Sequence, residues 1–205
     1  MKCVIAGTSG QAKVVYDMLK LVGGTIKFFL AKDHKSTDSF FYQFPIEMDE
    51  GKISPSDHLV VAIGDNRLRM RLTQRVQANY IKLLHPAAII SGDSTIGGGT
   101  VIMPGAVVNC GTTIGKHCII NTSASIDHDC HVDDFVHISP NATLCGKVKI
   151  GEGAHIGAGA IAIPNVTVGK WSTVGAGSVL IKDVPDYAVV VGNPAKVIRY
   201  NNGEN

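Results

Sequence analysis

From Ile90 onward an aliphatic residue recurs at every sixth position, and no other feature of the chain restricts its fold so severely. The series runs Ile90, Ile96, Ile102, Val108, Ile114, Ile120, Ile126 and Val132, then Ile138, Leu144, Ile150, Ile156, Ala162, Val168, Val174 and Leu180. All sixteen positions are filled without an insertion or a deletion. A helical period of about 3.6 residues does not produce this repeat, and simple strand alternation does not select every sixth residue. Glycine follows the aliphatic residue at Gly97, Gly115, Gly151, Gly157, Gly169 and Gly175. Small or turn-forming residues such as Gly99, Gly105, Ala106, Ala142, Ala154 and Gly159 fill much of the remainder. Three hexads make one triangular coil, so each inward side chain stacks on its counterpart one coil away and each coil touches mainly its neighbours. Burying one such side chain contributes roughly 1.5–3 kcal/mol, and sixteen of them outweigh local propensity.

Composition agrees: among 205 residues there are 23 Gly and only 6% aromatic residues, which suits tight turns around a small aliphatic core. Hydrophobic content of 45% with 18% charged residues describes a soluble globular chain. A net charge of +2 gives no support for a nucleic-acid partner. Arg67, Arg69, Arg71 and Arg75 form the one dense basic run, expected as the solvated face of a helix, with a phosphate-meeting patch as the alternative. Cys3, Cys110, Cys118, Cys130 and Cys145 are an odd set without CxxC spacing, which implies free thiols and a reducing, cytoplasmic setting. The apolar start from Met1 to Ala6 is too short for a signal peptide, and nothing approaches the ~18 apolar residues of a membrane span.

The first part of the chain reads differently. Cys3 to Ala6 is an apolar strand, Gly7-Thr8-Ser9-Gly10 turns into a helix, and Ala12, Val15, Met18, Leu19 and Val22 share one face of it. Strands are expected over Ile26 to Ala31 and Leu59 to Ile63, the latter followed by a helix with Leu68, Leu72 and Val76 on one face. This alternation predicts a small parallel sheet. Residues 34–58 are expected as a loop with a short strand in the middle. The expected organisation is a Rossmann-like α/β domain over 1–84 and a parallel β-helix over 85–205, entered at His85-Pro86. Lys182-Asp183-Val184-Pro185 breaks the repeat, Tyr187 to Val191 closes it as a strand, Gly192 to Lys196 turn, and Asn201 to Asn205 fray.

Three stretches resemble one family. Gly7-Thr8-Ser9-Gly10-Gln11-Ala12-Lys13-Val14-Val15 resembles the opening of the sugar acetyltransferases of the sialic-acid O-acetyltransferase and bacillosamine N-acetyltransferase type. Asn121 to Cys130, continued by Phe135-Val136-His137-Ile138-Ser139, resembles their active-site segment, and Val191 to Lys196 their tail. The resemblance implies a left-handed β-helix, although parallel crossovers elsewhere are right-handed in about 98% of cases. It also implies acetyl-CoA as co-substrate, no metal, and a homotrimer with active sites between prisms. The acceptor it favours is the amino group of a UDP-linked 4-amino-dideoxy sugar, with sugar O-acetylation as the alternative.

Acyl transfer from a thioester needs a base with a pKa near the working pH, which favours histidine. His128 is the candidate base, with Asp129 as the partner that fixes its tautomer and Asp127 as the substitute. Gly146, eighteen residues beyond His128, offers a backbone N–H to the oxyanion in the resemblance, and is a plain prism corner on spacing alone. The resemblance puts His137 beside the acetyl group or sugar, where trimer packing would also suit it, and His155 is one coil further on. Gly157, Ala158, Pro164, Ala176, Gly177 and Pro194 are candidates for lining acetyl-CoA. For the nucleotide-sugar the candidates are Gly7, Ser9, Gly10, Gln11 (where relatives have His), Asp33, Asp65, Asn66 and Asn121. Carboxyl ends of strands are where open α/β sheets bind ligands, but a helix cap explains Asp65 and a turn explains Asp33 as simply. Two other functions fit the repeat: a γ-class carbonic-anhydrase-like zinc enzyme, and a scaffold without activity. The first needs two histidines five residues apart, a spacing absent from the sequence.

Overall fold

The computed structural model describes residues 1–31 and 40–201. β1 (Lys2–Ala6) lies at the centre of a six-stranded sheet, paired in parallel with β2 (Thr25–Leu30) and with β5 (His58–Val61). β3 (Phe40–Phe41) and β4 (Phe44–Glu47) form a hairpin on the β2 side, and β6 (Asn79–Tyr80) closes the β5 side. The loop expected over 34–58 thus holds a hairpin and a short 3-10 turn at Glu50–Lys52. α1 (Gly10–Leu21) connects β1 to β2 and buries Ala12, Val15, Tyr16, Met18 and Leu19. Val22, expected on that face, instead caps the helix end and is 43% exposed. α2 (Asn66–Arg75) follows β5, with Asp65 capping it by accepting from the Leu68 N–H at 2.8 Å.

The remainder is a three-faced β-solenoid of two-residue strands. Its first face stacks Leu83–Leu84, Val101–Ile102, Ile119–Ile120, His137–Ile138, His155–Ile156 and Thr173–Val174. The second runs from Ile89–Ile90 to Val179–Leu180, and the third from Thr95–Ile96 to Thr167–Val168. Every pairing within a face is parallel and offset by three hexads, as the repeat demands. Ile96 through Leu180 all lie in one buried cluster, with Ile90 and Leu84 packed on it. A second inward column sits two residues earlier in each hexad, on the same side of the strand. It runs through Thr100, Ala106, Thr112, Cys118, Ala124, Cys130, Val136 and Ala142, all at or near zero exposure. Small side chains there let the coils turn, which explains two of the cysteines: Cys118 and Cys130 are buried, unpaired thiols standing in for alanine. Burial pushes the Cys118 thiol up to about 12.

The two parts share a core. Leu83, Val101, Met103 and Ile119 on the outside of the first face pack with Cys3, Val15, Met18 and Leu19 of the α/β domain. Beyond Ile119 that outward column changes to His137, His155 and Thr173. Ala188–Gly192 extends the first face and pairs antiparallel with Ala195–Tyr200, a second strand that begins within the turn expected over Gly192 to Lys196; of the end expected to fray, residues 202–205 lie outside the described residues.

If stacking of the inward column holds the solenoid, Ile138→Ala (0% exposed) should cost about 2–5 kcal/mol in guanidinium unfolding. Lys149→Ala, on an exposed outward position of the third face, should stay within about 0.5 kcal/mol.

Candidate active site

The edge between the second and third faces carries His128. Asp127 begins the corner, and its Oδ1 accepts from Asn109 Nδ2, one coil below, at 2.9 Å and from the His128 N–H at 2.8 Å. The Asn109 bond, then the His128 amide, hold the Asp127 carboxyl below its ordinary pKa. Thr112, buried in the inward column, donates to the Asp127 carbonyl at 2.7 Å. The backbone under His128 is therefore pinned from both sides. Asp129 takes a left-handed conformation at φ 57°, and Gly111 beneath it is the residue that leaves room. A Cβ there would lie 2.5 Å from Asp129 Oδ1.

The His128 ring donates from Nδ1 to Asp129 Oδ2 at 2.9 Å. A carboxylate only accepts, so Nδ1 carries a proton, and the neutral form of the ring then has its lone pair on Nε2. Asp129 reaches the imidazole despite its short side chain, while Asp127 is engaged by the Asn109 amide and the His128 N–H. Nε2 lies directly over Gly146: a Cβ on that residue would come within 2.6 Å of it. Among the described residues the Gly146 N–H meets no acceptor. Both side chains of the pair are half-exposed, 49% for His128 and 55% for Asp129, so this edge is open to solvent. Pro164 is one coil further along the same column.

His137 sits elsewhere, on the first face under the α/β domain. Its Nδ1–H donates to the Gly64 carbonyl at 3.3 Å, and Nε2 accepts from Asn121 Nδ2 at 3.1 Å. The His155 ring stacks on it with centroids 4.8 Å apart and planes 6° from parallel, and pairs its Nε2 with Ser139 Oγ at 2.8 Å. Burial, then His155 and the Arg69 cation, push His137 down to about 3, so it is neutral at working pH. Burial also lowers His155. Gly157, Ala158, Ala176 and Gly177 follow one another along the edge between the first and second faces, and Pro194 is in the terminal hairpin turn. One chain therefore separates its candidate base from most of its candidate acetyl-CoA residues by a whole face.

In the α/β domain Gly7 ends β1 at φ 131°, where a Cβ would lie 2.5 Å from the Ala62 carbonyl oxygen. Ser9 caps α1 through its backbone, with no side-chain capping bond, and Gly10 is the first helical residue. Gln11 keeps its Nε2 buried without a partner among the described residues. Asp33 lies outside the described residues. Asp65 has the capping role already weighed for it. The Asn66 amide is largely engaged: it donates to the carbonyls of Gly153 and Ala154 and accepts one bond from Arg69.

The arginine run is the solvated face expected from its density only at Arg71 and Arg75, which are exposed. Arg69 is 1% exposed, Arg67 lies on the Trp171 ring at 4.8 Å, and Arg75 pairs with Glu50 at 2.6 Å. Arg71 and Arg75 border a cavity of about 320 Å³ at the carboxyl ends of β1, β2 and β5, with Gly7, Ala31 and Ile63. A cleft of about 690 Å³ opens between the domains, lined by Asp65, Arg67, His137, His155, Trp171 and Arg199. Sequence reading missed Trp171 and Arg199, because nothing in the repeat marks which corner the first domain will cover. Among the described residues no three His, Cys, Asp or Glu groups are placed to hold a metal ion.

Neutral burial of His137 has a cost in acid. Below about pH 6.5 the unfolded chain protonates this group, while the folded chain resists protonation until about pH 3. Stability therefore falls as pH drops through that window, by about 1.4 kcal/mol per pH unit for one such group. Urea midpoints measured from about pH 6 to about pH 4 should show a slope smaller by that amount in His137→Asn, with His117 and His155 still contributing.

Comparison with known proteins agrees with this architecture. The PglD N-terminal domain family matches residues 2–76, and the bacterial transferase hexapeptide family matches residues 129–161 and 147–182. UDP-N-acetylbacillosamine N-acetyltransferase from Bacillus subtilis (strain 168) is 39% identical over 107 residues, which cover 48% of this chain. The chain spans about half the length of that curated relative (50%). A mutant perosamine N-acetyltransferase from Caulobacter crescentus, solved with CoA and GDP-perosamine, superposes with a TM-score of 0.91 at 35% identity, covering 97% of both chains. The acetyltransferase domain of PglB from Neisseria gonorrhoeae FA1090, solved with acetyl coenzyme A, gives 0.88 at 38% identity, covering 96% of this chain and 98% of that one. With fold, full-length similarity and both family matches in agreement, the chain belongs to the hexapeptide-repeat sugar N-acetyltransferases that carry a PglD N-terminal domain.

Proposed function

We propose that the protein transfers an acetyl group from acetyl-CoA to the amino group of a nucleotide-linked amino sugar, with His128 as general base. The observation that carries this reading is the free Nε2 of a ring held by Asp129 above an unpartnered Gly146 N–H. The amine nitrogen attacks the thioester carbonyl while His128 Nε2 takes its proton. Charge developing on the carbonyl oxygen is met by the Gly146 N–H, a donor already fixed in place. Collapse of the tetrahedral intermediate breaks the C–S bond, and the imidazolium returns the proton to the CoA sulfur. Asp129 keeps the ring in the productive tautomer and stabilises its charged form. The nucleotide would sit at the carboxyl ends of β1, β2 and β5, over the 320 Å³ cavity. Relatives solved with CoA and GDP-perosamine, or with acetyl coenzyme A, support the substrate classes. A 4-amino-dideoxy sugar on UDP is the favoured acceptor; transfer to a hydroxyl would use the same base.

The separation of the two edges supports a homotrimer. His128 on one edge can meet Ala158 and Ala176 on the other only if they belong to different copies. Exposed Ile161, Ile163 and Ile181 between those edges, with Val197 and Ile198 of the terminal strand, form the apolar surface that such copies would cover. The protein lacks a helix long and apolar enough to cross a membrane among the described residues; a cytoplasmic setting is part of the proposal, supported by five unpaired cysteines.

A panel of UDP-, GDP- and dTDP-4-amino sugars with acetyl-CoA tests the function through release of free CoA. His128→Ala should lower kcat by about 10²–10⁴-fold with the assembly intact. Unchanged turnover would remove the mechanism. Gly146→Ala, which drives a methyl group into the His128 ring, should lower kcat by about tenfold or more, and wild-type rates in it would leave the oxyanion assignment without support.

A further inference from the structure

One turn of α2 grips three successive coils of the solenoid. Arg69 donates from Nε to the His117 carbonyl at 2.7 Å and from Nη2 to the Phe135 carbonyl at 2.8 Å. Asn66, one turn earlier on the helix, donates to the Gly153 carbonyl at 3.0 Å and the Ala154 carbonyl at 3.1 Å. Arg69 Nη2 also donates to Asn66 Oδ1 at 2.7 Å, which locks the two side chains together. Residues 117, 135 and 153 are the same corner of consecutive coils, all with left-handed backbones at φ 54°, 59° and 65°. At that corner the coil-to-coil bonds use the carbonyls of Lys116, Asp134 and Glu152. The next carbonyl in each coil is therefore left for the helix to read.

The same guanidinium holds the other domain. Its Nη1 donates to the Ile63 carbonyl at 2.9 Å and the Gly64 carbonyl at 3.3 Å, and Gly64 is the residue whose carbonyl accepts from His137. Arg69 is 1% exposed and its hydrogen-bond partners are all neutral oxygens. Burial lowers its pKa to about 10, which still leaves it charged at neutral pH. A buried cation with no carboxylate among its hydrogen-bond partners is costly, the nearby Asp65 charge easing it only in part, and a carbonyl cage offsets that cost only with a planar fork; a lysine cannot span two coils and a loop at once.

We propose that Arg69, with Asn66, is the positioning residue that sets the height of the nucleotide-sugar domain along the solenoid, and with it the seat of His137 under Gly64. An acceptor held at the strand ends is thereby presented at one coil of the solenoid. This rests on the acetyltransferase reading above, but the contact itself does not.

The test compares wild type with Arg69→Lys, Arg69→Met and Asn66→Ala. The readouts are steady-state kinetics on whichever sugar of the panel the wild type accepts, calorimetric binding of the matching nucleoside diphosphate, and hydrogen exchange across residues 62–67. In Arg69→Met and Arg69→Lys, kcat should fall by about 10- to 100-fold while nucleotide affinity stays within about threefold. Exchange at Gly64 to Arg67 should quicken while α1 keeps its protection. Lysine at position 69 should not rescue kcat. Should Arg69→Met fail to fold, Asn66→Ala, which releases only the third coil, should show the same split in smaller measure. Wild-type kcat in the arginine variants, or kcat and nucleotide affinity falling together, would overturn the proposal. If wild type transfers acetyl to no sugar in the panel, the functional reading fails separately, and unchanged exchange at Gly64 to Arg67 in Arg69→Met would overturn the clasp by itself.

Discussion

Stacking of one inward side chain on the next, eighteen residues along, orders everything else in this protein. Because the spacing never slips, each outward and corner position also becomes a column: Asn109 with Asp127, Gly111 with Asp129, His128 with Gly146, His137 with His155. A site assembled from such columns needs no long-range coincidence. The hydrophobic term fixes the register, and the register places the polar groups. Rigidity follows too, since shifting any one of these groups would require a whole coil to move against its neighbours.

The chemistry placed on those columns is sorted by exposure. The imidazole proposed to carry protons is half in water, beside a carboxylate and above an open N–H. The other imidazoles near the first domain are His137, buried, His155, half-buried, and His117, flat against Phe135 at 5.2 Å, and burial lowers the pKa of each. His117 is pushed down to about 4, chiefly by burial and then by Arg69. The same buried guanidinium that joins the domains thus also discourages protonation of the rings around it.

The aliphatic hexads were fully legible, because a period of six over sixteen positions leaves one architecture. The strand–helix alternation of the first domain was legible from its own periodicity, with one short strand expected within 34–58 where the structure has the two strands of a hairpin, β3 and β4. The pairing of His128 with Asp129 was expected from the family resemblance with Asp127 held open as the substitute; adjacency could not choose, since both are acidic neighbours of one histidine, and only the structure gives Asp127 to the Asn109 amide and the His128 N–H. Arg69 shows the limit most clearly. In sequence it is one of four similar arginines, and only docking of the two domains, a long-range event, singles it out for burial. Asn66 changed roles for the same cause.

One chain, on this account, holds half of each of two sites: the base on one edge and the acetyl-CoA edge a face away. Mixing inactive variants tests that most directly. His128→Ala removes the base, and Ala158→Trp blocks the opposite edge without touching it. Refolded together from denaturant, the two should recover acetyl transfer that neither shows alone, because some interfaces then pair an intact base with an intact edge. A mixture as inactive as its parents, with mixed assemblies verified by mass, would contradict the account.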